Sequence, residues 1–271
     1  MARPPERPAF PARLDLGPRP AAARRPAVRV AAPSAPPAAA IARAPAPAAL
    51  PGAARDAIPA RARMVQALAA GGIRDPEVLR AMGAVDRHRF VDHALVAQAY
   101  EDTALPIGLG QTISKPSVVA RMVELLMQGV ARGADGRPGR VLDIGTGCGY
   151  QALVLAQLAS EVYSVERLRE LHEKARANLR PLRVANVHLI VGDGMQGFAS
   201  GAPYAGIVSA AGGEAVPEAW IDQLAYGGRI VAPTVQANGA QALVVIDKTR
   251  QAIRQTVLEG VHFVPLKSGV S

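Results

Sequence analysis

Residues 141–150, VLDIGTGCGY, constrain the fold more than any other stretch of the chain. Val141, Leu142 and Ile144 form a short apolar run that breaks into Gly145, Gly147 and Gly149. A helical pattern follows over 150–158, then a second strand candidate, 161–165, that ends at Glu166. Strand, glycine turn, helix, strand and terminal acid make the opening βαβ unit of a nucleotide-binding sheet. The glycines let the backbone approach a ligand where any side chain would collide with it. Glu166 lies about 20 residues past the turn, where a carboxylate can accept hydrogen bonds from both hydroxyls of a ribose.

The glycine spacing bears on which nucleotide. A dinucleotide fingerprint needs G-x-G-x-x-G, and here the third glycine comes one residue early, at Gly149, with Tyr150 in its place. Asp143, just before the loop, is a poor neighbour for a pyrophosphate. Acidic groups around a glycine loop suit a ligand with no phosphate and a positive charge. S-adenosylmethionine (SAM), with its adenosine, amino-acid tail and sulfonium, fits that description. A tight βα turn in some other α/β protein would show similar glycines, so the loop alone leaves both readings open.

A chain of 271 residues with 49% hydrophobic composition can bury a sizeable core, as one large domain or two small ones. Its single cysteine, Cys148, cannot form an internal disulfide, which points to a reducing compartment and a cytoplasmic protein. Its place in the glycine loop admits a nucleophile, or simply a small residue where serine would also fit. No run of about 18 uncharged apolar residues predicts a transmembrane helix. The net charge of +9 is unevenly placed: residues 1–55 hold nine arginines and two acids, leaving 22 basic and 20 acidic residues in 56–271. The folded part is therefore nearly neutral, which argues against a specific nucleic-acid partner.

Residues 1–55 also hold 13 of the 23 prolines, with alanine filling most of the remainder. Such a stretch can form neither a regular helix nor a core, so the expectation is a disordered extension. Arg24-Arg25 is like a twin-arginine export signal, but Pro26, Pro33, Pro36 and Pro37 interrupt the apolar segment such a signal needs. An organellar transit peptide and weak binding to acidic partners are further readings of the same composition.

Residues 56–130 read as a helical subdomain. From Arg61, Met64, Val65, Leu68 and Ala69 share one face, and Gly71-Gly72 ends the helix. Asp75 is placed to cap the next helix, with Pro76 at its first position and Val78, Leu79 and Met82 facing inward. Helical segments continue over 85–90 and 92–99. His88 and His93 lack metal-ligand spacing with other His or Cys, and surface or cap roles suit them. Residues 105–116, LPIGLGQTISKP, are unlike an ordinary linker: Gly108 and Gly110 give flexibility, and Gln111, Thr112 and Ser114 add polar groups before a helix over 116–128. Ser114 with Pro116 also fits a plain helix cap, and a cap and a catalytic role are compatible.

The chain from about Met64 to Lys267 resembles the protein-L-isoaspartate O-methyltransferase family. The matching stretches are ALPIGLGQTISKP, VARMVELL, VLDIGTGCGYQ, VYSVER, VGDGMQGF, APY, the run from Pro217 through GGRIVAP, and VHFVPL. GQTIS beside DIGTGxGYQ is the specific pairing, since most other SAM methyltransferases share only the glycine loop. The resemblance implies a class I SAM-methyltransferase fold: a Rossmann-like, doubly wound α/β sheet over 131–271 behind the helical subdomain. It implies methyl transfer from SAM to the free α-carboxylate of L-isoaspartyl residues in damaged proteins and peptides. The ester then loses methanol to give a succinimide, which can hydrolyse to normal aspartate.

By the same resemblance Ser114 is the active-site serine, and Gln111, Thr112 and Ile113 close over cofactor and substrate. Gly145, Thr146, Gly147 and Gly149 admit the amino-acid tail of SAM, Glu166 and Arg167 lie by the ribose, and Asp193 with Gly194 orients the adenine. Further strands are expected over 187–191, 207–210, 229–232 and 243–247, with a helix over 168–179, another over 217–224, and a closing strand over 261–266. Three positions depart from the family's usual residues: Ala205 stands for an aspartate, Lys115 for a neutral residue, and Cys148 for a serine. A monomer is the expectation.

Two other readings remain at this level. One is a methyltransferase of the same fold acting on RNA or a small molecule, although the Asn/Asp-Pro-Pro-aromatic signature of amino-group methylation is absent. The other is a non-catalytic SAM-binding protein, for which Ala205 is the best support.

Overall fold

Near-continuous apolar runs in the central strands, such as 141–144 with its buried residues, suit a sheet covered on both sides. A computed structural model describes the backbone from Pro51 and the side chains from Ala57 through to Ser271. The expectations for residues 1–50 lie outside the described residues. The first helix, α1 (Pro51–Ala70), starts inside the span read as extension and ten residues before the expected Arg61, with Pro59 inside it. Helix α2 (Pro76–Ala84) follows as expected: Asp75 Oδ1 accepts from the backbone N–H of Glu77 at 2.8 Å and of Val78 at 3.3 Å. Arg87–Phe90 and His93–Gln98 are 3-10 turns.

Residues 105–113, read from their glycines as flexible, form a hairpin instead. Strand β1 (Leu105–Gly108) pairs antiparallel with β2 (Gln111–Ile113). Gly108, Leu109 and Gly110 all have positive φ at its turn, and Leu105, Ile107 and Ile113 anchor it in the core. The glycines serve the turn's backbone geometry. Helix α3 (Pro116–Gly129) begins next, capped by Lys115 rather than Ser114 and with no side-chain cap bond.

The main sheet has seven strands. After β3 (Arg140–Ile144), helix α4 (Tyr150–Ala156) leads to β4 (Glu161–Glu166), and α5 (Arg169–Leu179) leads to β5 (Val187–Val191). Then come β6 (Tyr204–Ser209), α6 (Glu218–Gln223), β7 (Leu224–Val235), β8 (Gln241–Lys248) and β9 (Ile253–Val261). Their order is β5-β4-β3-β6-β7-β8-β9. The first five run parallel, while β8 and β9 are antiparallel additions. Alternate residues face opposite sides: Val141, Val162, Val208 and Val231 pack with α1–α5, while Leu142, Ile207, Ile230 and Val244 pack with Trp220 of α6. Arg229 ties the layers, paired to Asp247 at 2.7 and 3.0 Å while donating to the Leu125 carbonyl at 2.9 Å.

The closing strand is a correction. It is β9, eight residues earlier than expected, and residues 262–271 form no strand of the sheet. Pro265 lacks the N–H that a ladder needs. This segment instead straps across the carboxyl ends of the parallel strands. Gly212 donates to the Val264 carbonyl and Leu266 to the Gly212 carbonyl, both at 2.8 Å. Further along, Ser271 exchanges backbone hydrogen bonds with Arg167 and Arg169, each 2.9 Å. Among the described residues no helix is long and apolar enough to cross a membrane.

Candidate active site

The strand order reverses direction between β3 and β6, and the carboxyl ends of parallel strands at such a point are where open α/β sheets bind ligands. There the glycine loop leaves β3. Gly145 donates to the Val165 carbonyl at 2.9 Å, and Ala210 donates to the Ile144 carbonyl at 2.8 Å, so the loop is clamped from both neighbours. Gly147 has φ +56°, and a Cβ there would come within 3.1 Å of Ile107 of the hairpin. A side chain at this position would therefore crowd the Ile107 side chain and strain the backbone at its positive φ.

Behind the loop lies a buried polar relay that sequence reasoning missed. Thr146 Oγ1 lies 2.7 Å from Ser164 Oγ, which donates to Asp143 Oδ2 at 2.7 Å, and Gln151 Nε2 donates to Asp143 Oδ1 at 2.8 Å. Asp143 and Ser164 are register partners on β3 and β4. Burial pushes the Asp143 carboxyl up to about 6 despite these two donors. The signal for this relay was present only as polar residues inside apolar strands.

A cleft of about 420 Å³ opens in front of the loop. Gly145 and Gly147, Glu166, Arg167, Gln111, Thr112 and Gly194 line it, and the strap at 264–267 forms its far wall. Glu166 is buried, with Oε2 accepting from the Gly147 N–H and Oε1 from the Leu168 N–H, each at 2.9 Å. Arg167 turns its Nε to the Gly269 carbonyl at 3.2 Å.

Four expected residues sit differently, Thr146 among them, since its hydroxyl turns back into the relay. The Asp193 side chain is not brought into this cleft: Oδ1 accepts from the Met195 N–H at 2.9 Å and Oδ2 from the Gly269 N–H at 2.7 Å. Its neighbour Gly194 does face the cleft, where a Cβ would lie 2.8 Å from Ile144, and its carbonyl accepts from Trp220 Nε1 at 2.8 Å. Ile113 is buried in the core, and Gly149 packs its backbone against Leu179 and Ala175 as the residue before α4.

Ser114 lines a second cleft, of about 460 Å³, with Lys115, His262 and Phe263. This cleft meets the first along three shared residues: Thr112, Ala210 and Val264. Ser114, Thr112 and Ile113 also share a small cavity of about 30 Å³ with Gly145, Thr146 and Gly147. The hairpin thus brings the serine against the glycine loop. The carbonyl of Ser114 accepts from Arg87 Nη2 at 2.8 Å, and the fully buried Arg87 also donates to the Ala99 carbonyl at 2.8 Å.

Residues 59–271 match the family model for protein-L-isoaspartate(D-aspartate) O-methyltransferase. The chain belongs to this family. Relatives named protein-L-isoaspartate O-methyltransferase include one from Methylibium petroleiphilum, 60% identical over 211 residues, covering 77% of each chain. Another, from Leptothrix cholodnii, is 59% identical over 213 residues, covering 78% of this chain and 74% of the relative. Among solved structures, a protein-L-isoaspartate O-methyltransferase aligns over 78% of this chain and 67% of its own, with TM-score 0.68 and 28% identity. A protein assigned to the family from Plasmodium falciparum, solved with S-adenosyl-L-homocysteine, aligns over 76% of this chain and 98% of its own, with TM-score 0.66 and 25% identity.

The three departures from the protein-L-isoaspartate O-methyltransferase pattern can now be placed. Ala205 is the second residue of β6, at the amino end of a parallel strand and so at the opposite edge from the cofactor cleft. Cys148 is buried, and burial pushes its thiol up to about 11, so the nucleophile reading finds no thiolate at neutral pH. Lys115 is exposed on the rim of the Ser114 cleft.

Proposed function

We infer that this chain transfers a methyl group from SAM to the free α-carboxylate of L-isoaspartyl residues in proteins and peptides, initiating repair through a succinimide. One observation supports the reading: the cleft of Ser114 adjoins the cleft of the glycine loop, the two sharing Thr112, Ala210 and Val264 as lining. A donor in one cleft and an acceptor in the other can therefore meet. The pocket fits SAM, since Gly147 leaves backbone where a Cβ would crowd Ile107 and a buried carboxylate faces the cleft. SAM supplies an electrophilic sulfonium methyl.

The work left to the protein is alignment. The acceptor carboxylate, with a pKa near ~4, is already ionised at neutral pH, so no general base is required. We assign Ser114 Oγ–H to donate a hydrogen bond to that carboxylate and hold one oxygen in line with the methyl. Lys115 on the rim favours arrival of an anion. Gln111 and Thr112 cover the junction, with Ile113 anchoring them in the core. Gly145 and Gly147 form the cradle for the amino-acid tail, with Thr146 and Gly149 holding the loop from behind. Glu166 takes the ribose with the lone pairs its two backbone bonds leave over, and Arg167 holds the strap beside it. Asp193 positions the turn that presents Gly194 to the adenine.

The near-neutral charge of 56–271 supports a protein acceptor over nucleic acid. The lone buried cysteine supports a cytoplasmic setting. We take the chain to act as a monomer, which sedimentation equilibrium would test.

The deciding experiment uses labelled SAM with two peptides that differ only in L-isoaspartate against normal L-aspartate. Base-labile label in the isoaspartyl peptide alone is expected. Label in neither peptide, with SAM binding intact, would leave the fold and remove the reaction.

A further inference from the structure

Strand β5 is an edge of the main sheet: β4 pairs with one side of it, and its other side pairs with no strand among the described residues. Its sequence, VHLIV, holds no lysine, arginine, carboxylate or proline, the residues that commonly protect such an edge from pairing. His188, its one polar residue, is hydrogen-bonded to Glu161 of β4. A cleft of about 450 Å³ lies between this strand and the end of α5. Leu179 of α5 with Val187 and Leu189 of β5 gives it an apolar floor. Arg176, Arg180 and Arg183 also line it, and no carboxylate does. It shares no residue with the cofactor cleft or the cleft of Ser114.

The charge here is local. Residues 56–271 carry 22 basic and 20 acidic residues, so three arginines without an acid among the lining stand out from a nearly neutral background. Arg176 meets Glu173 at 3.5 Å, both of them exposed. No ion pair among the described residues engages Arg180 or Arg183. The carbonyls that end α5 attract cations, which accounts for Arg176 in its last turn and Arg180 just after it. They do not account for Arg183, beyond the helix, whose backbone is left-handed with φ +50°. Glycine would suit that conformation better, so the turn itself does not call for an arginine.

An unprotected edge offers backbone N–H and C=O groups to an extended chain, and an apolar floor beside it takes alternate side chains. Exposed arginines at the rim repel a basic strand and attract an acidic one. No aromatic side chain lines the cleft for a nucleobase to stack on. We propose that β5 and this cleft form a docking site for an acidic, aliphatic segment of another protein, which adds to the sheet as a further strand beside β5. The site stands apart from methyl transfer and tethers the chain to an acidic partner while both clefts of the candidate active site stay open.

The test uses the full chain and a short labelled peptide with alternating valines flanked by glutamates, its binding followed by fluorescence anisotropy. A second peptide carries lysines in place of the glutamates. Two more carry N-methyl groups on alternate amides, one set in each, because only one set of an added strand faces β5. The glutamate peptide is expected to bind at least about tenfold tighter than the lysine peptide, and more weakly as salt is raised. One N-methylated set should lose about tenfold and the other keep its affinity. Arg180 and Arg183 are exposed, so Arg180→Ala combined with Arg183→Gly leaves the core and the positive φ intact. This double variant should bind the glutamate peptide about tenfold more weakly and methylate a short isoaspartyl peptide within about twofold of the parent. No binding of the glutamate peptide, equal binding of the lysine peptide, or full affinity in both N-methylated sets would overturn the site. Flotation of the chain with vesicles of phosphatidylglycerol and phosphatidylcholine, lost in the double variant, would assign the arginines to a membrane surface instead and overturn it too.

Discussion

The Gly147 N–H points at Glu166 Oε2, 2.9 Å away, so the residue read as the ribose acceptor is also the clamp on the glycine loop. The other oxygen of the same carboxylate accepts from Leu168 at 2.9 Å and fixes the entry to α5. One buried side chain thus sets the shape of the cofactor cleft and offers it negative charge. Glu166→Gln keeps one acceptor and turns the other position into a donor facing an N–H. The loss of a charge-assisted bond, about 1.5–3 kcal/mol, corresponds to roughly tenfold to hundredfold weaker SAM binding. Calorimetric titration of SAM against both proteins checks this; unchanged affinity would remove Glu166 from the cofactor site.

Ser114→Ala separates binding from chemistry. Ser114 lines the second cleft, while its backbone carbonyl remains tied to Arg87 in the variant. Turnover on an isoaspartyl peptide should fall about tenfold or more, the scale of one lost positioning hydrogen bond. The dissociation constant for SAM should stay within about twofold. A variant as fast as the parent would defeat the role assigned to this hydroxyl.

Arg87 is the most consequential residue that sequence reasoning left out. Its guanidinium spans the carbonyls of Ala99 and Ser114 and lies 4.8 Å above the Tyr150 ring, joining the helical subdomain, the Ser114 loop and the start of α4. Lysine cannot reproduce a planar fork of donors. Arg87→Lys should lower kcat with little change in SAM affinity, and lower the melting temperature by roughly 5 °C, from the loss of about 2 kcal/mol. Steady-state kinetics and a thermal melt of the same sample test both parts. A melt shift with kcat intact would make Arg87 purely structural.

The glycine loop, the parallel strands and Glu166 were legible because each is encoded locally, by apolar runs, positive-φ residues and a strand-end acid. The β5 bounds came out to the residue, as Val187 to Val191. The hairpin at 105–113 was not legible, since three-residue strands carry too little periodicity and its turn glycines read as flexibility. The strap was expected as a strand because 261–266 resembles the family's closing strand, although Pro265 argued otherwise. Arg87 could not be found at all: an arginine's burial depends on carbonyls 12 and 27 residues away. Asp193 was expected to orient the adenine, but only the fold showed that its two oxygens accept from the Met195 and Gly269 N–H groups.

Cys148 should be chemically silent in the native protein. Its thiol is buried and pushed up to about 11 by that burial, so thiolate at pH 7.5 is scarce and shielded. A disulfide reagent such as dithionitrobenzoate should react over minutes only after guanidinium unfolding. Cys148→Ser should keep kcat within about twofold, at a stability cost of about 1–2 kcal/mol for a buried hydroxyl. Rapid native labelling, or loss of turnover in a folded serine variant, would restore a chemical role.

Asp143 gives the fold a pH dependence of defined sign. Its carboxyl sits at about 6 in the folded chain, against an ordinary 3.8, chiefly because burial disfavours the charged form. The folded state therefore binds more protons than the unfolded state between these values, and stability from this group falls as pH rises through that window. The contribution is fully present below about pH 4 and lost above about pH 6. Two units at ~1.4 kcal/mol each make it about 3 kcal/mol. Asp143→Asn has no titrating group at this position. Raising the pH from 4 to 7 should therefore shift the stability difference between variant and parent by up to that amount in the variant's favour. Guanidinium unfolding of both proteins across this range measures the difference directly. A difference independent of pH would mean that Asp143 is ionised throughout, and that its two donors outweigh its burial.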